Sequence, residues 1–341
     1  MVSMLGLYCG KIGIIKKVDG NYRKEHNGAG NIAVPVMFIL ISFLIIGCSK
    51  TNNEVQTPVI STENNPVISE QSSDAYDAKR ISVDIKAESA YLWNISSNTV
   101  LYEKESNQRI APASTAKMLT AVTVLDYCDD DDEVLVGREI KLIAEDASRA
   151  WLNPGNRLTV RQLLNALLLP SGNDAAYALG VFTGRRIRGD NNISIDEALK
   201  AFIAAMNEKA ADIGAVNSNF TRPDGYDADG QYTTALDLAC IAREFRGSDL
   251  LSEIAGSYRI SDVWLSGQEA TYYNTNELIN PDSQYYYECA AGLKTGKSED
   301  AGCCLVSSAY IDDELYLCVV MGSTEEGRWT DSLKLYHAIN Q

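Results

Sequence analysis

Ser114 stands three positions before Lys117 in Ala113-Ser114-Thr115-Ala116-Lys117, and two further short blocks follow downstream, Ser171-Gly172-Asn173 and Lys294-Thr295-Gly296. A serine hydroxyl is a weak nucleophile until a base takes its proton, and side chains three apart on a helix share one face. Lys117 can be that base, so the pair reads as a self-contained acyl-transfer unit. Histidine-based chemistry has little to draw on. The chain holds only His26 and His337, the first in a basic leader and the second in the last turns. Serine catalysis without histidine has few other solutions.

The elements that must position these residues are also predictable. Pro112 lies just ahead of Ser114 and residues 117–127 have a helical pattern, so Ser114 opens a helix, where the dipole favours developing negative charge. Thr159-Val160-Arg161-Gln162 fits a capping box, and Val160, Leu163, Leu164, Leu167 and Leu168 recur at helical spacing until Pro170 breaks the run. Ser171-Gly172-Asn173 then falls in a tight connection to a helix starting near Asp174. Further helices are predicted at 194–214 and 234–245. Residues 90–94 and 99–102 read as a hairpin, and 285–295, 303–310 and 314–321 as three strands before a closing helix at 329–339. If Asp312-Asp313 is a two-residue turn, Cys318 faces Ser307. The expected class is α/β of the α+β kind: a five-stranded antiparallel sheet built from both chain ends, flanked by helices, with a mostly helical insertion.

At 341 residues, 45% apolar and 22% charged, the chain can bury one large core or two modest ones. Lys11, Lys16, Lys17, Arg23 and Lys24 precede an uncharged apolar run at 32–47 that closes as Ile45-Ile46-Gly47-Cys48. That ending resembles the lipobox of bacterial lipoproteins, which implies a signal peptide over residues 1–48 and lipidation of Cys48. The apolar run is shorter than the roughly 20 residues a span usually needs. An uncleaved signal anchor is the alternative, and it too places the remainder outside the membrane. Residues 49–80, rich in Ser, Thr, Asn, Glu and Pro, read as a flexible tether with a reach on the order of 100 Å, and 81–341 as the catalytic domain.

Removal of the leader takes away five basic and two acidic residues and leaves 25 Lys and Arg against 44 Asp and Glu, a net charge of −19. Such a surface argues against nucleic acid and against an anionic membrane face as partners. Beyond Cys9 and Cys48 the chain has Cys128, Cys240, Cys289, Cys303, Cys304 and Cys318, with no paired C-x-x-C spacing. Zinc is not indicated, and no other metal or cofactor is expected. The even count permits disulfides, but buried free thiols are the simpler reading.

S-x-x-K, S-D-N and K-T-G form the signature of class A β-lactamases and penicillin-binding proteins, and the three blocks here follow it in order and setting, with Ser171-Gly172-Asn173 in the carboxypeptidase form of the second motif. Over residues 85–340 the sequence closely resembles the D-alanyl-D-alanine carboxypeptidases among the low-molecular-mass penicillin-binding proteins. The resemblance extends through Ala111-Pro112-Ala113-Ser114, residues 167–176, residues 220–225 and Gly292-Leu293-Lys294-Thr295-Gly296. It implies the β-lactamase/transpeptidase-like fold and attack by Ser114 on the penultimate D-Ala carbonyl of a peptidoglycan stem pentapeptide. Lys117 would take the proton, its pKa lowered by Lys294 and by burial, and Ser171 would relay a proton to the leaving D-Ala. Asn173 would bond the substrate amide, and Lys294 with Thr295 the terminal carboxylate, assisted by Arg328. The backbone N–H groups of Ser114 and of Lys297, next after Gly296, would form the oxyanion hole. β-Lactam antibiotics are implied as ligands, and the lipid would anchor the enzyme to the outer face of the cytoplasmic membrane.

Two features depart from the family pattern. Lys297-Ser298-Glu299 stands where an aromatic or histidine and then threonine often follow K-T-G, and with a closing helix at 329–339 the family's frequent second, β-rich domain is not expected. A serine β-lactamase is the nearest alternative. The glutamate of an E-x-x-L-N segment after the second motif is lacking, and Glu277-Leu278-Ile279-Asn280 is misspaced. A catalytically silent wall-binding or antibiotic-sensing module would have no need of a nucleophile paired with a base.

Overall fold

The structure, a computed structural model, describes residues 80–341; the leader with Cys48 and the tether through residue 79 lie outside the described residues. Every side chain of Ser89–Asn94 (β1) is buried, and alternate residues enter different cores: Tyr91 and Trp93 one, Ala90 and Leu92 the other. A strand buried on both faces belongs inside a sheet. β1 accordingly pairs antiparallel with Thr99–Lys104 (β2) on one side and with a strand from the far end of the chain on the other.

The intervening chain supplies most of the helices. After a 3-10 turn at Ala113–Ala116 comes Lys117–Tyr127 (α1), buried through its first eight residues. Glu133–Leu135 (β3) and Arg157–Thr159 (β4) form a small ribbon. Val160–Leu168 (α2) starts on the expected capping box, with Thr159 and Gln162 each accepting the other's backbone N–H. Its five apolar residues at helical spacing are all buried. Asn173–Arg188 (α3), Ile195–Asp212 (α4) and Ala235–Arg246 (α5) follow, α4 on a second capping box from Ser194 and Glu197. Asp249–Gly256 (α6) and the ribbon of Arg259–Val263 (β5) and Glu269–Tyr273 (β6) have no counterpart in the sequence reading. The β5 stretch, Arg-Ile-Ser-Asp-Val, has no fully buried residue, so burial leaves little trace in its composition.

The chain then returns to the sheet with Ala290–Ser298 (β7), Gly302–Ile311 (β8) and Glu314–Ser323 (β9), and ends on Gly327–His337 (α7) and a 3-10 turn. The strand order is β2-β1-β9-β8-β7, antiparallel throughout, with β9 against β1 joining the two chain ends. Asp312 and Asp313 both have positive φ, as a tight hairpin turn requires, and Ser307 pairs with Cys318 as the register predicted. Leu317, Val319 and Met321 face the helical insertion, whereas Cys318 and Val320 face α7. The expected strand over 285–295 begins only at Ala290. Tyr285 instead stacks on Trp329 and Tyr287 on Tyr336, so this aromatic run packs against α7 before pairing starts. No helix among the described residues is long and apolar enough to cross a membrane.

Candidate active site

Ser114 lies in the 3-10 turn and Lys117 is the first residue of α1, so Ser114 sits just before the α-helix rather than within its first turn. The Lys117 ammonium is fully buried and donates to Ser114 Oγ at 2.8 Å, Asn173 Oδ1 at 2.8 Å and the Asp224 carbonyl at 2.7 Å. Three acceptors around one nitrogen complete its donor capacity. Burial lowers its pKa to about 8, against the raising pull of Asp224 and Asp174. Ala113, ahead of the serine, is held at φ 45°. Gly225, itself at φ 75°, lies over it, and any Cβ there would collide with the Ala113 carbonyl oxygen.

The second block closes on the first. Pro170 ends α2, Ser171 adopts φ 63°, and Asn173 opens α3. Asn173 N donates to Ser148 O at 2.9 Å, and its Nδ2 donates to Asp224 Oδ2 at 2.9 Å. Ser171 Oγ is buried and has no hydrogen-bond partner, a hydroxyl available to a ligand. The neighbouring Asp174 carboxylate is consumed structurally: it accepts from Ala150 N at 2.8 Å, Leu152 N at 3.0 Å and Ala175 N at 3.0 Å.

The third block lies on β7, the edge strand, which runs past the 3-10 turn so closely that a Cβ on Gly296 would come within 3.1 Å of Ala113 Cβ. Lys294 is buried, with Nζ donating to Thr295 O at 3.1 Å. Burial pushes its pKa well down, and the cations Lys117 and Arg328 push it further. The two ammonium groups disfavour each other's charged form, with burial the larger cause at each. Thr295 Oγ1 shares a 2.6 Å hydrogen bond with Thr275 Oγ1. The Arg328 guanidinium stacks 4.5 Å from the Trp329 ring and donates to Gly296 O at 3.3 Å, so it reaches this block from α7. The Lys297 side chain points to solvent and pairs with Glu325 at 3.1 Å.

Ser114, Asn173 and Lys297 line one cleft of about 310 Å³, with Asp146, Ser148, Tyr226, Asp227, Ser298 and Asp300 around it. The loop carrying Gly225 bridges its walls. Tyr226 OH donates to Asp146 Oδ1 at 2.9 Å, and Asp227 accepts from Ser298 Oγ at 2.7 Å and Asp300 N at 3.1 Å. All nine residues anticipated from sequence lie in the three blocks or touch them. Asp224 was missed. It lies 107 positions from Lys117 and 51 from Asn173, and only Pro223-Asp224-Gly225, a turn signal within a family-like stretch, marked its surroundings.

Comparison with known proteins bears on this arrangement. The sequence profile of peptidase family S11, described as D-alanyl-D-alanine carboxypeptidase, matches residues 73–325. The chain is 30% identical to D-alanyl-D-alanine carboxypeptidase DacF of Bacillus subtilis (strain 168), over 73% of this chain and 60% of that protein. It is 31% identical to the D-alanyl-D-alanine carboxypeptidase of Streptomyces sp. (strain K15), over 74% of this chain and 86% of the relative. The chain thus spans less than two thirds of the length of the Bacillus protein. Among solved structures, the Streptomyces K15 DD-transpeptidase is similar at a TM-score of 0.69 and 31% identity, covering 76% of this chain and 98% of that one. D-alanyl-D-alanine carboxypeptidase DacD from Francisella tularensis, 23% identical, shares the fold at a TM-score of 0.64. A profile match running through most of the sequence, together with relatives at 30–31% identity, settles descent: this chain belongs to the D-alanyl-D-alanine carboxypeptidase family.

Proposed function

We propose that the protein is a serine D-Ala-D-Ala carboxypeptidase that removes the terminal D-Ala from peptidoglycan stem pentapeptides through a Ser114 acyl-enzyme. The observation that carries this reading is the 2.8 Å contact between Lys117 Nζ and Ser114 Oγ at the wall of an open cleft. With Lys117 neutral, its lone pair accepts the Ser114 proton as Oγ bonds to the penultimate D-Ala carbonyl carbon. The oxyanion is received by the backbone N–H groups of Ser114 and Lys297. On collapse the C–N bond breaks, and the Ser171 hydroxyl passes a proton to the departing D-Ala amine. Water then cleaves the ester and regenerates Ser114. The second hydrogen of the Asn173 NH2 group, the one not given to Asp224, serves the substrate amide carbonyl, and Lys294, Thr295 and Arg328 receive the terminal carboxylate. A β-lactam, an acyl donor bearing its own carboxylate, would acylate the same serine.

The similar Streptomyces K15 structure carries the name DD-transpeptidase, which differs only in taking an amine instead of water as acceptor. Release of D-Ala from a pentapeptide with and without an added amino-acid acceptor separates the two. For placement, an extracytoplasmic domain attached through lipidated Cys48 fits the acidic charge and the lipobox-like Ile45-Ile46-Gly47-Cys48. Replacement of Cys48 by Ser should move the protein from the membrane to the soluble fraction.

The primary test is a time course of intact mass with benzylpenicillin, with Ser114→Ala as control. A persistent adduct of one ligand, absent from the variant, is the expected result. No adduct with penicillin intact would leave a silent module, and no adduct with penicillin consumed would indicate a β-lactamase.

A further inference from the structure

Asp224 holds a buried carboxylate at the centre of the site, in contact with Asn173 and adjoining Lys117, and no step of the reaction above uses it. Its backbone is fixed by α1. Thr120 Oγ1 donates to Pro223 O at 2.6 Å and Lys117 Nζ to Asp224 O at 2.7 Å, so two consecutive carbonyls dock on one helix face. Its two carboxylate oxygens are committed to different donors. Oδ1 accepts from Tyr226 N at 3.1 Å and Oδ2 from Asn173 Nδ2 at 2.9 Å. Asn173 Oδ1 in turn accepts from Lys117. A carboxylate, an amide and an ammonium thus stand in line, each acceptor facing a donor.

On this basis, and resting on the carboxypeptidase reading, we infer that Asp224 is a positioning residue: its carboxylate locks the Asn173 amide with oxygen toward Lys117, and its charge holds the ammonium form of Lys117. A flipped Asn173 would turn its NH2 toward the ammonium and its oxygen toward the carboxylate, two repulsive contacts in a water-poor site. The charged groups facing Lys117 are Asp224 from the loop, Asp174 from α3 and Lys294 from β7, with Arg328 of α7 beyond Lys294. Asp174 already accepts three backbone N–H groups, which disperse its charge. Asp224 therefore supplies more of the negative charge felt by Lys117 than Asp174 does, and it raises the Lys117 pKa against the larger lowering effect of burial.

The test is the pH dependence of Ser114 acylation by benzylpenicillin in the full-length protein and in two neutral variants, Asp224→Asn and Asp224→Ser. Acylation needs neutral Lys117, so its rate falls on the acid side as the lysine protonates. Loss of a carboxylate in the neighbourhood should move that acid limb down by about one pH unit or more. Because Asn and Ser differ in shape and hydrogen bonding, a common downward shift assigns the effect to charge. An unshifted limb with a uniformly lower rate, or an upward shift, would overturn the inference. So would the loss of a cooperative thermal transition in both variants, which would make Asp224 a purely structural acceptor. A wild-type protein that forms no adduct would sink the functional reading instead, so the two failures are distinguishable.

Discussion

A fully buried lysine with three oxygen acceptors and a pKa lowered to about 8 can lose its proton far more readily than an exposed one, as the proposed base must. The same displacement costs stability. The folded pKa lies below the unfolded value near 10.5, so between about pH 8 and 10.5 the unfolded chain binds more protons and stability rises with pH. The penalty is fully present below pH 8. Against Lys117→Met, the wild-type protein should gain about 3 kcal/mol across this window, read from denaturant melts at several pH values; a flat difference would contradict the pKa. Arg328 offers a second expectation at this scale. Its fork rests on Gly296 O and the Trp329 ring, beside the position proposed for the substrate carboxylate. Arg328→Gln should raise KM for a pentapeptide roughly tenfold or more with little change in melting temperature. Residue types and order made Ser114, Lys117, Ser171, Asn173 and Lys294 legible before any fold was known. Asp224 was not legible, because a carboxylate in a turn has no local pattern that distinguishes a buried partner from a solvated one.

At the level of elements, each motif is accompanied by a non-glycine residue in the left-handed region: Ala113 at 45°, Ser171 at 63° and Leu293 at 98°. Such conformations cost on the order of 1–3 kcal/mol each and persist only where surrounding contacts impose them. Ala113→Gly should therefore raise stability by about 1 kcal/mol while slowing penicillin acylation, since the turn that aims Ser114 is loosened. Equal acylation rates would show that the strain plays no part in positioning. By contrast, Thr159→Ala removes the capping box of α2, far from Ser114 in the chain, and should cost about 1 kcal/mol with the acylation rate unchanged. The capping boxes at Thr159 and Ser194 could be read directly, because a cap is encoded within four residues. The left-handed residues could not, because their cause is tertiary: Gly225 and Gly296 press on Ala113 from other parts of the chain.

Over the whole molecule, the six described cysteines are all free, and Cys128, Cys303, Cys304 and Cys318 are buried. Burial pushes Cys304 and Cys318 up to about 12. A thiol-alkylating reagent at neutral pH should leave these four unmodified in the native protein and label all six in denaturant, as counted by peptide mass; native labelling of Cys304 or Cys318 would contradict the packing. The five-stranded sheet was also readable at this scale, since a hairpin at 90–102 and three strands after residue 285 flank a mostly helical stretch, and joining them buries the second face of β1. The strand order carries one more consequence. β1 and β9 are paired residue for residue, Leu92 with Cys318 and Ala90 with Val320, although more than two hundred residues separate them. During synthesis, therefore, β1 has no partner on that side until β9 has left the ribosome. The five-stranded sheet is thus the last part of the fold that can be completed, whatever the hairpin and the helices between its two halves have formed by then.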